Sequence, residues 1–205
     1  KIGPQRVIWR YDPILITHHI NEEYHVKYFE ILASKLHNYT TKCVISFVDF
    51  YSKAQRNLKN LGAYEIRDQD KIRIALKLDE IAKAYSLKLE TCAEDLDLSE
   101  YGIEHSKCID PDLIGNLLGV KFKTEKDKNQ RKLCGCAASV DICAYNTCGH
   151  ACLYCYANYS GNAVNRNMAG YNPDFPLLCS RLTSEDVISE KNAASCAVLQ
   201  KSLFD

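Results

Sequence analysis

The sequence predicts an α/β fold: a partial or complete (β/α) TIM-like barrel carrying a cysteine-rich C-terminal metal-binding segment. Three observations predict it. Apolar, β-branched runs alternate with amphipathic helical segments over residues 1–120. One of those runs is apolar without a break, as a strand buried on both faces of a parallel sheet must be. After residue 120 the alternation stops, and six of the eleven cysteines fall within residues 134–155.

The elements follow in order. Residues 6–11, RVIWRY, are β-branched and aromatic and stop at Asp12–Pro13, where a proline ends a ladder; a strand is expected there. In residues 22–37, Val26, Phe29, Ile31, Leu32 and Leu36 keep helical spacing, with acids in the first turn and Lys35 near the end, which predicts a helix. CVISFVDF, 43–50, is the unbroken apolar strand. Residues 69–85 predict a second helix with Ile72, Leu76, Ile81 and Ala84 on its apolar side. LKLETCA, 87–93, reads as a third strand, and Asp112 to Leu118 as a short helix. Residues 121–132 are charged and read as a solvated loop; residues 160–205 read as loop with a closing helix near 184–200. The expected division is 1–120 for the βα units and 121–205 for the cysteine-rich segment, packed on the barrel rim.

Lys plus Arg and Asp plus Glu both number 26, so charge gives no support for nucleic acid or a membrane surface as partner. No run approaches the roughly 18 apolar residues of a membrane span. The chain starts at Lys1, and its first dozen residues already read as a strand entering a core; more chain is expected upstream.

Clustered cysteines in an enzyme-sized chain point to metal or redox chemistry in the cytoplasm, whereas a disulfide framework suits a small secreted one. Cys148, Cys152 and Cys155 follow a C-x3-C-x2-C pattern. That spacing also fits one helical stripe, but Cys134, Cys136 and Cys143 stand just upstream, and closely packed free thiols oxidise or trap metals. Three thiolates on one loop can ligate three irons of a 4Fe-4S cluster and leave the fourth open. Cys92 ends the third strand, and Cys108 follows in turn-like sequence. With Cys134 and Cys136 they make four thiols for a second cluster or a tetrahedral zinc; Cys92 and Cys108 as isolated packing residues is the competing view. Cys143 could serve in either set. A zinc site from Cys134, Cys136, Cys152 and Cys155 is another partition. Cys179 is a weaker candidate, and Cys43 and Cys196 read as core.

In α/β barrels site residues gather at strand C-terminal ends. Arg10, Tyr11 and Asp12 are expected to close the first strand, Ser46 and Asp49 the second, Thr91 and Glu94 the third. Arg10, Asp12 and Asp49 are therefore the catalytic candidates, although Arg10 and Asp12 could equally form a structural pair. His150 lies inside the cysteine loop as a possible ligand or a solvated residue; His18, His19 and His25 read as surface.

The three-cysteine loop, with Tyr154 before its last cysteine and the extension CLYCYAN, resembles the signature of radical S-adenosylmethionine (SAM) enzymes, especially the spore-photoproduct-lyase-like branch. RVIWRYDPILI (6–16), CVISFVDFY (43–51), LETCAEDLDLSEYGIEHSKCID (89–110) and CGCAASVDICAYNTCGHACLYCYAN (134–158) together resemble the bacterial domain of unknown function 1848 family. That family is described as carrying a C-terminal cysteine cluster similar to the N-terminal one of radical SAM proteins, and it has no established reaction. The resemblance implies a 4Fe-4S cluster on Cys148, Cys152 and Cys155, SAM chelated at the open iron, Tyr154 and Asn158 at the cofactor, and radical chemistry on an unknown substrate. Kinship with photolyase-like enzymes hints at nucleic acid. In radical SAM enzymes the loop follows the first barrel strand, whereas here it follows the last βα unit; in a closed barrel those strands are neighbours. No glycine-rich SAM-contacting motif is present. The alternative function is a non-catalytic zinc- or iron–sulfur-binding structural module.

Overall fold

Four parallel strands in the order β1-β2-β3-β4 form the main sheet. They belong to a computed structural model that describes residues 1–141, 144–190 and 195–198. The chain divides into two compact units. The first comprises Lys1–Asp49, Gly62–Ser139 and the C-terminal residues from Cys196; the second comprises Phe50–Leu61 and Val140–Ser195.

In the first unit the elements are β1 (Trp9–Ile14), α1 (Glu22–Leu36) and β2 (Lys42–Phe47). The chain passes through α2 (Ser52–Asn60), which belongs to the second unit, and returns as α3 (Asp68–Ala84), β3 (Lys88–Thr91), β4 (Glu104–His105), α4 (Pro111–Leu118) and β5 (Lys121–Phe122). The second unit adds α5 (Gly161–Ala169), and β6 (Ala197–Val198) pairs antiparallel with β5. The protein is thus mixed α/β with a parallel sheet; among the described residues that sheet is open, with four strands.

Register and pleat sort the strand residues onto two faces. Trp9, Cys43 and Leu89 pair in one row, and Arg10, Val44 and Glu90 in the next. Successive side chains point to opposite faces. The first row, with Ile45 and Phe47, packs with Phe29 and Ala33 of α1 and Ile74, Leu78 and Ala82 of α3 in the main core. Cys43 is fully buried there, as expected. The second row faces away from that core. It carries Arg10, Val44, Glu90 and, two residues on, Cys92, and it is where the first cysteine site lies.

Several expectations need correction. The first strand does not stop at Asp12–Pro13: β1 runs on to Ile14, with a register shift between Tyr11 and Ile14. Strand β1 pairs only with β2, and an edge strand tolerates a residue without an N–H. Arg10 and Asp12 therefore sit within β1 and do not close it. The buried stripe of α3 is Ile74, Ala75, Leu78 and Ala82, while Ala84 is exposed. Ile72 and Ile81 of the expected side pack against the same core while only partly buried, so the apolar stripe is broader than expected and centred on Ile74, Leu78 and Ala82. In the closing-helix region, residues 184–190 are not helical, 191–194 and 199–205 lie outside the described residues, and Cys196 is exposed, not core. The charged stretch 121–132 is not all loop: it holds β5, and Lys126 bridges to Ala137. No helix among the described residues is long and apolar enough to cross a membrane.

His25 is likewise buried, at 5% exposure; His18 and His19 are exposed as expected. His25 Nδ1 meets the Tyr11 hydroxyl at 2.8 Å, and Nε2 lies 3.0 Å from the Leu15 carbonyl oxygen. Burial pushes the imidazole below its ordinary value. The folded chain therefore binds this proton less readily than the unfolded chain. The stability His25 contributes is complete above the ordinary value of about 6.5 and is lost as pH falls through the lower folded value. Urea-unfolding midpoints are expected to drop as pH falls below about 6.5, with a shallower drop in His25→Gln. An unchanged slope in that variant would show that acid sensitivity arises elsewhere.

Candidate functional site

The cysteines form two groups, one in each unit. In the first unit, Cys92 directly follows β3, and its N–H donates to the Ile45 carbonyl at 2.9 Å. Cys108 lies three residues beyond β4. Asp110 caps α4, accepting from Asp112 N–H at 3.0 Å and Leu113 N–H at 3.2 Å, with Pro111 in the first turn. Such a cap fixes the entry of the chain into the helix and so the backbone of residues 108–109. Cys134 and Cys136 come from a turn anchored by Asp127 N–H on the Cys136 carbonyl (3.0 Å) and Ala137 N–H on the Ile109 carbonyl (3.1 Å).

These four thiols converge. Cys92 and Cys108 Sγ atoms are 3.7 Å apart. Cys108 N–H and Ile109 N–H donate to Cys136 Sγ at 3.1 and 3.5 Å. Cys92, Cys134 and Cys136 pack with Val44, Ala93 and Ile8 in a cluster of their own. Packing alone does not describe Cys92 and Cys108: the pair is hydrogen-bonded and sits against a cation. Arg10 Nη1 lies 3.2 Å from Cys108 Sγ, and the guanidinium also pairs with Asp12. Asp49 pairs with Arg131 at 2.7 Å. The Cys108 hydrogen bond, opposed by burial and aided by Arg10, draws the Cys92 thiol down to about 5. The same bond raises Cys108, and burial raises Cys134.

Glu94 is buried and accepts the Phe47 N–H at 2.8 Å; burial raises its carboxyl. Thr91 Oγ1 is 3.0 Å from His105 Nδ1. Lys42 and Glu90 form a buried ion pair at 2.7 Å on the same sheet face as Arg10.

In the second unit, Cys148 and Cys152 are exposed and Cys155 is half-buried. Cys155 N–H bonds the Cys152 carbonyl at 3.0 Å, and Cys155 Sγ accepts from Ala157 N–H at 3.3 Å. Asn146, in the left-handed region at φ 59°, accepts Tyr159 N–H (2.5 Å) and Ser160 N–H (3.2 Å) on Oδ1 and donates its own N–H to the Ala157 carbonyl (3.0 Å). The loop is thereby closed into a ring. Asn158 Nδ2 donates to the Cys148 carbonyl at 2.7 Å, while its buried Oδ1 has no partner. A cavity of about 270 Å³ is lined by Cys148, Cys152, Asn158, Ser160 and Gly161 among others, at the N-terminus of α5. Tyr154 is 39% exposed, and His150 is exposed. Cys179 is half-buried in this unit; Cys143 lies outside the described residues.

Cys134 and Cys136 thus keep company with Cys92 and Cys108 in the first unit, and Cys152 and Cys155 belong to the second. Among the described residues no three His, Cys, Asp or Glu side chains already surround a single point as ligands of one ion, and the described cysteines are free thiols. Sequence reasoning missed Asn146 as the closure of the loop; its signal was an asparagine, a residue that tolerates the left-handed region.

A parallel-sheet α/β protein with thiols gathered beyond its strand ends and, in its second unit, on a closed loop is the class these features define. The model of a family described as a domain of unknown function (DUF1848) matches residues 1–157, a span that includes both cysteine groups, and the chain belongs to that family. No curated protein and no solved structure matches it.

Proposed function

We propose that the protein is a radical-SAM-like iron–sulfur protein, in which Cys148, Cys152 and Cys155 hold a 4Fe-4S cluster. One observation carries this: Cys148, Cys152 and Asn158 line one cavity at the N-terminus of α5, and the Asn158 Oδ1 atom is buried without a hydrogen-bond partner. Three thiols of one closed loop suit the donor set, because a cubane face spreads its ligands more widely than a single ion does. When bound, a cluster with one iron free of protein ligand, together with SAM, supplies one-electron cleavage chemistry.

The chain's own residues bind and orient. Asn158 holds the loop shut through its amide nitrogen, and its buried Oδ1 would have to turn toward the cavity to accept from the ammonium group of the cosubstrate. The first turn of α5, capped by Ser160 on Ala163 N–H, favours a carboxylate. Tyr154 stands beside the last ligand. The sheet is read as consecutive strands of a (β/α) barrel, and the substrate class is left open. Free thiols throughout the described residues suit a reducing, cytoplasmic setting.

Purification of the full chain without oxygen is expected to give a brown protein with about four irons and four sulfides beyond any mononuclear ion. The Cys148→Ala/Cys152→Ala/Cys155→Ala variant is expected to lose the sulfide entirely. Wild-type protein that is colourless, holds zinc and lacks sulfide would overturn the proposal in favour of a structural metal module. Full sulfide retention in the triple variant would remove these cysteines as ligands.

A further inference from the structure

We infer that Cys92, Cys108, Cys134 and Cys136 form a separate, closed site for one tetrahedral metal ion, zinc or iron, independent of the loop cluster. The Cys92–Cys108 separation is the first ground. A tetrahedron with metal–sulfur bonds of about 2.3 Å has edges of about 3.8 Å, and the two sulfurs stand 3.7 Å apart. Two thiols in a polynuclear cluster, on different irons, would stand much further apart. The second ground is the direction of the neighbouring donors. Metal-bound thiolates are held by outer hydrogen bonds. Cys136 Sγ already accepts two backbone N–H groups, at 3.1 and 3.5 Å, and Cys108 Sγ faces Arg10 at 3.2 Å.

The third ground is charge and access. Four thiolates around a divalent ion leave two negative charges. Arg10, with Nη1 3.2 Å from Cys108 Sγ, and Arg131, whose carbonyl accepts the Cys134 N–H at 3.0 Å, bring positive charge to the group, and the stem of Lys107 lies over Gly135, where an added Cβ would come within 3.2 Å of its Cγ. Asp12 and Asp49 hold those two arginines. This assigns Arg10, Asp12 and Asp49 to positioning around the ion. Cys92, Cys134 and Cys136 are buried and Cys108 is exposed; four thiolates together fill every position of a tetrahedral ion and leave none for a substrate. That is the mark of a structural site.

The site also answers a mechanical need. The one bridge of residues 123–139, Lys126 to Ala137, is internal to the segment; among the described residues its ties to the rest of the first unit are hydrogen bonds such as Ala137 N–H on the Ile109 carbonyl and the Arg131–Asp49 ion pair, and its apolar anchorage is small. One ion would join the end of β3, the segment after β4 and the 134–136 turn. The thiols now make pairwise contacts, and binding draws the two pairs into one shell. Metal binding is then part of the folding of this region.

The test uses the full chain carrying Cys148→Ala, Cys152→Ala and Cys155→Ala, so that the loop cannot contribute. About one tightly held zinc or iron per chain, without sulfide, is expected. Growth or refolding with cobalt should give the intense d–d and thiolate charge-transfer bands of a four-sulfur tetrahedral site. Adding Cys92→Ser and Cys108→Ser should cut the metal content at least tenfold, whereas Cys179→Ser and Cys196→Ser should leave it unchanged. A chain without stoichiometric metal, a cobalt spectrum with fewer than four thiolates, or full metal content after the serine changes would each overturn the assignment. The cobalt spectrum counts thiolates in a chain with all four cysteines intact, so it decides even if the serine variant fails to fold. Sulfide reports on the loop and the sulfide-free ion on this site, so either can fail without the other.

Discussion

Replacing Phe29 with alanine is expected to cost the first unit about 3–5 kcal/mol. Phe29 is fully buried at the centre of α1's inner face. Its ring stacks on Trp9 at 4.7 Å and meets Tyr11 edge-on at 5.2 Å. The substitution removes the area of a whole ring and both aromatic contacts, which add about 0.5–1.5 kcal/mol each beyond burial. Relaxation is limited, because Trp9 and Tyr11 are fixed to the sheet by the β1–β2 ladder. Phe29→Leu keeps most of the volume and should cost less than about 1.5 kcal/mol. The measurement is urea unfolding with the midpoint shifting at constant slope. A loss below about 1 kcal/mol for the alanine variant would show that the aromatic group is not what anchors α1.

The second large effect is expected at Asn146. An alanine there must hold φ 59° at about 1–2 kcal/mol, and it abandons the N–H groups of Tyr159 and Ser160 at about 0.5–1.5 kcal/mol each. The sum is about 2–5 kcal/mol, concentrated on the cysteine loop. The readout is two-fold: earlier unfolding of the second unit, and faster loss of iron and sulfide to a chelator. Asn146→Gly keeps the backbone at ease and should recover about 1 kcal/mol while still missing the two bonds. Equal behaviour of the alanine and glycine variants would refute the backbone contribution.

The parts legible in the sequence were those with strong periodicity. Helices α1, α3 and α4 and strands β2 and β3 stand close to their expected limits, because local pattern and tertiary need agreed. The missed elements have little local signal. Strand β4 is two residues long, and α5 buries only Val164 in a polar sequence. Helix α2, SKAQRNLKN, shows just Ala54 and Leu58 as a buried pair. At the first cysteine site, Cys134-Gly135-Cys136 and Cys92 could be grouped from residue type. The ties that define the group could not: Arg10 and Cys108 are 98 residues apart, and Cys108 and Cys136 are 28 apart. Only strand register brings Arg10 to the sheet face away from the helices. At the loop, spacing singled out the three candidate cysteines, but Asn146 and Asn158 act through backbone geometry that spacing does not encode.

Helix α2 leaves the first unit's chain between β2 and α3, yet Ala54 and Leu58 are buried in the second unit and Asn57 Nδ2 bonds the Leu153 carbonyl at 3.2 Å. The second unit is therefore discontinuous. During synthesis its first piece emerges some 80 residues before its second. The cysteine loop can close only after both pieces have left the ribosome, so delivery of the cluster proposed for it would be post-translational or very late. Excising residues 140–195 as a fragment would leave α2 behind, and such a fragment is a poor vehicle for studying the loop.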